Sequence, residues 1–206
     1  MLKIYGRRNS INVQKVMWTV AELALPYERV DAGMKFGVVG EAWYGDLNPN
    51  RLVPTIDDDG VVVWESNAIV RYLAAKHATG KLMPQHLIGR ARCDMWMDWQ
   101  QNTLMQGLSP VFLELVRTPP KQRDHNAIKA GEAMILQGLL VLDWHLKGRN
   151  YMLGDNFTAA DIPVGAAVHR WYALPIDHPE LAALRAWYER LSQRPAYQEH
   201  VMLPLS

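Results

Sequence analysis

Cysteine is almost absent from the sequence, which has only Cys93 among its 206 residues. One cysteine cannot form an internal disulfide, a paired-thiol redox motif or a cysteine-rich zinc site. The start of the chain has charges but no apolar signal-peptide core, and no apolar run approaches the roughly 20 residues of a membrane span. Because chains without disulfides suit reducing compartments, we expect a cytoplasmic protein with no membrane contact. We also expect no metal, since the histidines show no metal-ligand spacing.

An excess of charge of either sign is also missing. The chain has 22 Lys and Arg against 21 Asp and Glu, for a formal net charge of +1. Nothing in this balance attracts a polyanion as a whole, so we expect no nucleic-acid partner. Apolar residues make up 49% of the chain, which suits a globular protein with a full core.

The first 80 residues alternate between strand-like and helix-like patterns. They predict a strand at 2–5, a helix from 13 to 23, a strand at 27–31, a short helix near Trp43, a hairpin around Asp59–Gly60 and a helix from Ser66. A parallel βαβ unit followed by an antiparallel pair makes a mixed sheet. The order βαβαββα predicts an α/β thioredoxin-like domain over residues 1–79.

From about residue 86 the pattern is helical only, which predicts an all-α domain over residues 86–206. The predicted helices are 86–116 with a kink at Pro110, 124–147, 158–172, and 179–193 ending before Pro195. Thr158 and Asp161 have the spacing of a capping box at the start of the third helix, with Thr158 as the N-cap. We interpret this box as structural.

Three segments, in this order and at these distances, resemble the cytosolic glutathione S-transferase family, in its bacterial Nu-class-like or theta-like forms. They are Asn-Pro-Asn-Arg-Leu-Val-Pro at 48–54, Trp-Glu-Ser-Asn-Ala-Ile-Val-Arg-Tyr-Leu at 64–73, and Gly-Asp-Asn-Phe-Thr-Ala-Ala-Asp at 154–161. The resemblance covers nearly the whole chain. It implies glutathione as co-substrate, a small apolar electrophile as acceptor, and a homodimer.

The same resemblance implies a glutathione site. Val53–Pro54 would be a cis bond, with the Val53 N–H and C=O paired to the cysteinyl backbone of glutathione. Ser66 at a helix N-terminus would bind the γ-glutamyl carboxylate, and Glu65 its ammonium. The alternatives are an ordinary trans proline and a plain helix cap. Further binding candidates are Asn50, Arg51 and Lys35.

The catalytic candidates lie between the first strand and the first helix, where thioredoxin relatives place their reactive group. This segment has no cysteine, and its only nearby tyrosine, Tyr5, lies inside the strand. The spacing Ser10-x-Asn12-x-x-Lys15 resembles the Nu-class pattern, with Ser in place of Thr. A thiol has a pKa near 8.5, and a hydroxyl donor together with a helix N-terminus favours its anion. The residues alone leave open whether Ser10 and Asn12 act on sulfur or only cap the helix. The resemblance implies that Ser10 acts on sulfur, with Asn12 as the second donor.

Leu108, Phe112 and Trp171 are candidates for an apolar acceptor pocket, although core packing is the commoner role for such residues. Two other functions remain open beside glutathione transfer. One is the reduction of a peroxide or disulfide by glutathione, with a second glutathione in place of a protein cysteine. The other is a non-catalytic module of the same fold that binds partner proteins.

Overall fold

The computed structural model describes residues 1–206 and begins with a four-stranded mixed sheet. The strands are β1 (Leu2–Tyr5), β2 (Tyr27–Val30), β3 (Thr55–Asp58) and β4 (Val61–Trp64), in the order β2-β1-β3-β4. β1 pairs with β2 in parallel, and the β1–β3 and β3–β4 pairs are antiparallel. The helices of this part are α1 (Ile11–Glu22), α2 (Ala42–Leu47) and α3 (Ser66–Ala78). The predicted thioredoxin-like order is confirmed.

The β3–β4 connection shows why the sequence predicted this hairpin correctly. Asp59 and Gly60 both have positive φ, at +50° and +91°. Two consecutive residues in this region are typical of a tight turn whose twist matches that of the flanking strands. The Gly60 N–H also donates to Asp57 Oδ1 at 2.7 Å.

The rest of the chain is helical. Its helices are α4 (Leu87–Trp99), α5 (Met105–Phe112), α6 (His125–Leu146), α7 (Asp161–Ala173), α8 (Ala182–Ser192) and α9 (Pro195–His200). Two π-helical segments, Gln100–Leu104 and Leu113–Arg117, follow α4 and α5 without a break. The predicted long first helix is therefore one continuous helical segment, with Pro110 inside α5.

Helix α1 joins the two halves of the molecule because it is buried nearly all round. Val13, Val16 and Val20 pack in a core with the sheet. Ile11 and Trp18 belong to a larger core built mostly from α4–α9. The Trp18 ring lies 4.6 Å from that of Tyr197 in α9. The start of α1 is thus held from both sides.

Two predicted helix starts are wrong, and in each case hydrogen bonds to an aspartate explain the difference; α9 is a short helix that the sequence did not predict. Helix α7 begins at Asp161 rather than Thr158: Asp161 accepts from the Thr158 N–H as predicted, but the Thr158 hydroxyl also donates to this carboxylate instead of capping the helix. Helix α8 begins at Ala182 because Asp143 of α6 accepts from its first N–H groups. Pro195 starts α9, as proline does at a first helical position.

Asp161 is the most heavily bonded carboxylate of the helical half. It is fully buried and accepts from the Met152 N–H and the Trp187 Nε1–H, each at 2.9 Å, as well as from Thr158. Its hydrogen bonds connect α7, α8 and the segment before α7. Removing it would leave several buried donors without an acceptor.

We expect Asp161→Ala to lower the free energy of unfolding by roughly 3 kcal/mol or more, because buried donors would lose their partner. Asp124→Ala is the matched control, since Asp124 also accepts backbone N–H groups at a helix start but is exposed. That change should cost only about 1 kcal/mol. Urea denaturation of both variants measures the difference, and equal losses would contradict the structural role given to Asp161.

Candidate active site

Ser10 is the residue at which the β1–α1 connection becomes helix α1. Its backbone is extended at the N-cap position, and its side chain makes no capping hydrogen bond. The residue is 8% exposed and lines a cleft with Asn12. The sequence left open whether the Ser10 hydroxyl acts on a ligand or caps the helix. In the structure it does not cap the helix. The hydroxyl is available to a ligand at the N-terminus of α1.

Asn12 is oriented by a short hydrogen-bond chain. Lys15 Nζ donates to Ser66 Oγ at 3.5 Å, and Ser66 Oγ donates to Asn12 Oδ1 at 3.2 Å. The Ser66 hydroxyl thus accepts from the Lys15 amine and gives its own hydrogen to Asn12. The Asn12 amide therefore turns its oxygen toward Ser66 and keeps both hydrogens of Nδ2 available to the cleft.

Lys15 is a fully buried amine that the sequence reasoning did not single out as a site residue. It also donates to Gln100 Oε1 at 3.1 Å and to Gln101 Oε1 at 3.4 Å, both in the first π-helical segment. Burial and, to a smaller extent, the charge of Arg170 lower the pKa of Lys15 to about 7, and the charge of Glu65 opposes this shift. The signals in the sequence were its place in the Ser10-x-Asn12-x-x-Lys15 spacing and its position in an otherwise apolar helix.

The loop before β3 presents unpaired backbone groups. The Val53–Pro54 bond is cis, as the resemblance implied. Neither the N–H nor the C=O of Val53 has a hydrogen-bond partner within the chain. Gly33 packs beside this loop: a side chain there would meet Arg7 Nη1 at 3.0 Å and Val53 at 3.5 Å. The bare backbone of Gly33 lets Arg7 approach Val53.

Glu65 and Ser66 lie at the start of α3. Glu65 is the N-cap residue and has φ +68° and ψ 113°, a backbone region that residues other than glycine rarely adopt. Such strain tends to occur at functional sites. The Glu65 side chain is exposed and has no ion-pair or hydrogen-bond partner. Ser66 is buried, and its N–H belongs to the first turn of the helix, where N–H groups lack partners within the helix.

The remaining binding candidates differ in their availability. Lys35 is exposed on a 3₁₀ turn after β2, and Asn50 is exposed with its side chain unpaired. Arg51 is already engaged, because its Nη1 donates to the carbonyl oxygens of Val39, Gly40 and Glu41. The Arg51 guanidinium therefore holds the loop before α2 in place.

A cleft of about 250 Å³ opens beside Ser10 and Asn12, between the start of α1 and helix α5. Phe112 forms part of its wall. Leu108 is fully buried in the larger core, and Trp171 lines a different groove, beside His178. Of the three predicted acceptor-pocket residues, the structure brings only Phe112 to this cleft. Its wall also includes three arginines, Arg7, Arg117 and Arg170.

No three His, Cys, Asp or Glu side chains lie close enough together to ligate a metal ion. None of the helices has the length and apolar character required to cross a lipid bilayer.

The comparisons with known proteins define the family. The model of the glutathione S-transferase N-terminal domain matches residues 1–75, and that of the C-terminal domain matches residues 104–195. The chain belongs to the glutathione S-transferase family. Among its relatives, glutathione S-transferase GstB of Escherichia coli (strain K12) is 38% identical, with all of both chains covered. Glutathione S-transferase 3 of Zea mays is 29% identical, covering 97% of this chain and 93% of the relative.

A solved structure gives the same result. The chain resembles the theta class glutathione S-transferase from the citrus canker pathogen Xanthomonas axonopodis pv. citri, whose structure has glutathione bound. The identity is 43% and the TM-score 0.95, with 100% of this chain and 99% of that chain covered.

The buried Lys15 makes stability depend on pH. Between pH 7 and about 10.5 the unfolded chain holds a proton on this amine that the folded chain has released. The wild type should therefore gain stability relative to Lys15→Met as the pH rises from 7, by up to about 1.4 kcal/mol per pH unit. Urea denaturation at pH 7, 8 and 9 measures the difference.

Lys81→Met is the control, because Lys81 is exposed and its loss should leave the wild-type pH profile unchanged. Parallel pH profiles for the wild type and Lys15→Met would contradict the shifted pKa of Lys15.

Proposed function

We propose that the protein is a glutathione transferase that activates the glutathione thiol at Ser10 and Asn12 and transfers it to a small electrophile. The observation that carries this proposal is the set of unpaired groups at the start of α1, before β3 and at the start of α3. The Ser10 hydroxyl, the Asn12 amide hydrogens, the Val53 backbone and the Glu65 carboxylate have no partners in the chain. The bound glutathione in the Xanthomonas relative supports the same ligand here.

Each unpaired group complements one part of glutathione. The γ-glutamyl ammonium pairs with Glu65, and the γ-glutamyl carboxylate lies at Ser66, where first-turn N–H groups favour an anion. The cysteinyl N–H and C=O pair with the C=O and N–H of Val53. The glycine carboxylate extends toward Lys35 and Asn50. Arg51 acts indirectly, since its guanidinium is used by the loop before α2.

This placement brings the cysteinyl sulfur to the start of α1. There the Ser10 hydroxyl and the Asn12 Nδ2 group both donate, and the N-terminus of the helix adds a partial positive charge. Each contribution stabilises the thiolate more than the thiol, so the pKa of the bound thiol falls. A fall of two pKa units corresponds to about 2.7 kcal/mol of preference for the anion.

Substitution at the sulfur site tests this assignment. Ser10→Ala should lower turnover roughly tenfold to a hundredfold, the worth of one hydrogen bond to a charged atom. The ultraviolet absorbance of the bound thiolate should then titrate at higher pH. Asn12→Ala should do less, and the double variant more than either. Ser192→Ala is the control, because that hydroxyl donates to the Tyr188 carbonyl in α8.

Two other outcomes of these substitutions would change the assignment. If only Asn12→Ala moves the titration of the thiol, the roles of the two residues are reversed. If neither variant moves it, the side-chain assignment is wrong and the helix N-terminus activates the sulfur.

Glutathione binding by itself is tested at the other end of the site. Glu65→Ala removes the partner of the ammonium, so the affinity for glutathione should fall by roughly 1.5–3 kcal/mol. Glu28→Ala, at an exposed carboxylate on β2, should leave the affinity unchanged. Calorimetry measures both, and an unchanged affinity for Glu65→Ala would remove this residue from the site.

Glutathione-dependent reduction of a peroxide or disulfide is the second candidate reaction. The observation that bears on it is Cys93, which is fully buried and whose pKa burial raises to about 12. A protein thiolate is therefore not available, and a second glutathione would have to complete the reduction. Parallel assays with a chlorinated aromatic and an organic hydroperoxide separate the two reactions.

We also infer a homodimer and a cytoplasmic location. Large apolar side chains are exposed on both halves of the molecule, as a dimer that pairs one half with the other requires. They include Leu52 in the loop before β3, Met95 on α4, and Leu140 and Trp144 on α6. The single buried cysteine supports a reducing compartment.

A further inference from the structure

The cleft beside Ser10 has more positive charge than conjugation to an apolar acceptor needs. Arg7, Arg117 and Arg170 all line it. The guanidinium carbon of Arg170 lies 4.0 Å from the centroid of the Phe112 ring, and that of Arg117 lies 5.1 Å from the same centroid. The guanidinium groups of Arg117 and Arg170 thus both pack near the Phe112 ring in the wall of the cleft.

None of the three arginines has a carboxylate side-chain partner. Arg7 and Arg170 donate no hydrogen bond in the chain, and their Nε atoms are both buried and unpaired. Arg117 makes one long contact, to the main-chain oxygen of Ser206 at 3.4 Å. Elsewhere the partly buried arginines Arg29, Arg71 and Arg194 each pair with Asp or Glu, as partly buried charges normally do.

Arg170 is the most unusual of the three, because it is only 7% exposed. Burial, together with the charges of Arg117 and Arg7, lowers its pKa to about 9. A buried, unpaired cation beside two like charges is unfavourable in the empty protein. An anion in the cleft would remove this cost, so the three arginines favour the binding of a negatively charged group there.

We propose that the acceptor substrate is an anion: a small electrophile whose carboxylate binds to Arg170, Arg117 and Arg7 while its reactive carbon faces the glutathione sulfur. This inference rests on the proposed transferase function and specifies its substrate class. Guanidinium groups bind carboxylates through paired hydrogen bonds, which orients the acceptor as well as holding it. Phe112 and Met105 supply the apolar wall for the rest of the molecule.

The chemistry of the transfer is unchanged by the charge. With 4-chloro-3-nitrobenzoate as the probe, the glutathione thiolate forms a C–S bond at the ring carbon that bears chlorine. The C–Cl bond breaks, and chloride leaves with the bonding electron pair. The proton of the glutathione thiol passes to solvent, and nothing is oxidised or reduced.

The test compares this carboxylate with its neutral isostere, 4-chloro-3-nitrobenzamide. The value of kcat/KM for each, at saturating glutathione, is divided by the rate constant of the uncatalysed reaction to remove the difference in intrinsic reactivity. The wild type should favour the benzoate by about tenfold or more, the worth of a charged hydrogen bond. No preference, or a preference for the amide, would overturn the inference while leaving the transferase function in place.

Charge removal locates the effect. Arg170→Met and Arg117→Met should each lower the rate with the benzoate about tenfold and leave the rate with the amide within about twofold. Arg117 is exposed, so its variant provides the readout even if Arg170→Met does not fold. Arg185→Met is the matched control: Arg185 also stacks on an aromatic ring, Tyr172 at 4.2 Å, but lies outside the cleft.

Equal losses with both acceptors would mean that the arginines act on glutathione rather than on the acceptor, and would overturn the inference. Calorimetry of the two product conjugates gives a measure independent of turnover. Tighter binding of the carboxylate conjugate, lost in Arg117→Met, supports the anion site even in a chain that turns over neither acceptor. That combination would contradict the transferase function alone.

Discussion

The burial of helix α1 on both of its sides is the constraint on which the site depends. Its valines pack in the sheet core, and Ile11 and Trp18 pack in the core of the helical half. A helix held in this way cannot shift without opening one core or the other. Its N-terminus is therefore a fixed point, and the Ser10 hydroxyl and the helix dipole are directed at one place in the cleft. Preorganised donors of this kind stabilise a developing or existing anion without rearrangement.

The same helix carries the buried Lys15, which connects the two halves of the site. Lys15 reaches Ser66 at the start of α3 and Gln100 in the π-helical segment after α4. Burying a cation is costly, and the fold offsets part of that cost with three acceptor oxygens. Arg170 has no such compensation. The positive charge of Lys15 is thus paired within the chain, whereas that of Arg170 is not, and this difference is the basis of the proposed anion site.

Elements with strong local signals were predicted well. The β3–β4 hairpin followed from an Asp-Gly pair, and the order of strands and helices followed from hydrophobic periodicity. The start of α7 was predicted wrongly because the Thr158 hydroxyl donates to Asp161 instead of capping the helix. The start of α8 was predicted wrongly because its first N–H groups are capped by Asp143, which is distant in sequence. For the acceptor pocket, Phe112 lines the cleft, whereas Trp171 lies in another groove. An apolar side chain gives no local signal of the cavity that it faces.

By itself the sequence determined the fold class, the family resemblance and the candidate residues Ser10, Asn12, Glu65 and Ser66. These depend on short-range spacing, on turn chemistry and on motifs that stay together in the chain. Only the tertiary structure decided that the Ser10 hydroxyl is free, that Lys15 orients Asn12 through Ser66, and that Arg7, Arg117 and Arg170 share one cleft. The physical reason is that burial and electrostatic pairing depend on distances between side chains, and residues 7, 117 and 170 come together only when the chain has folded.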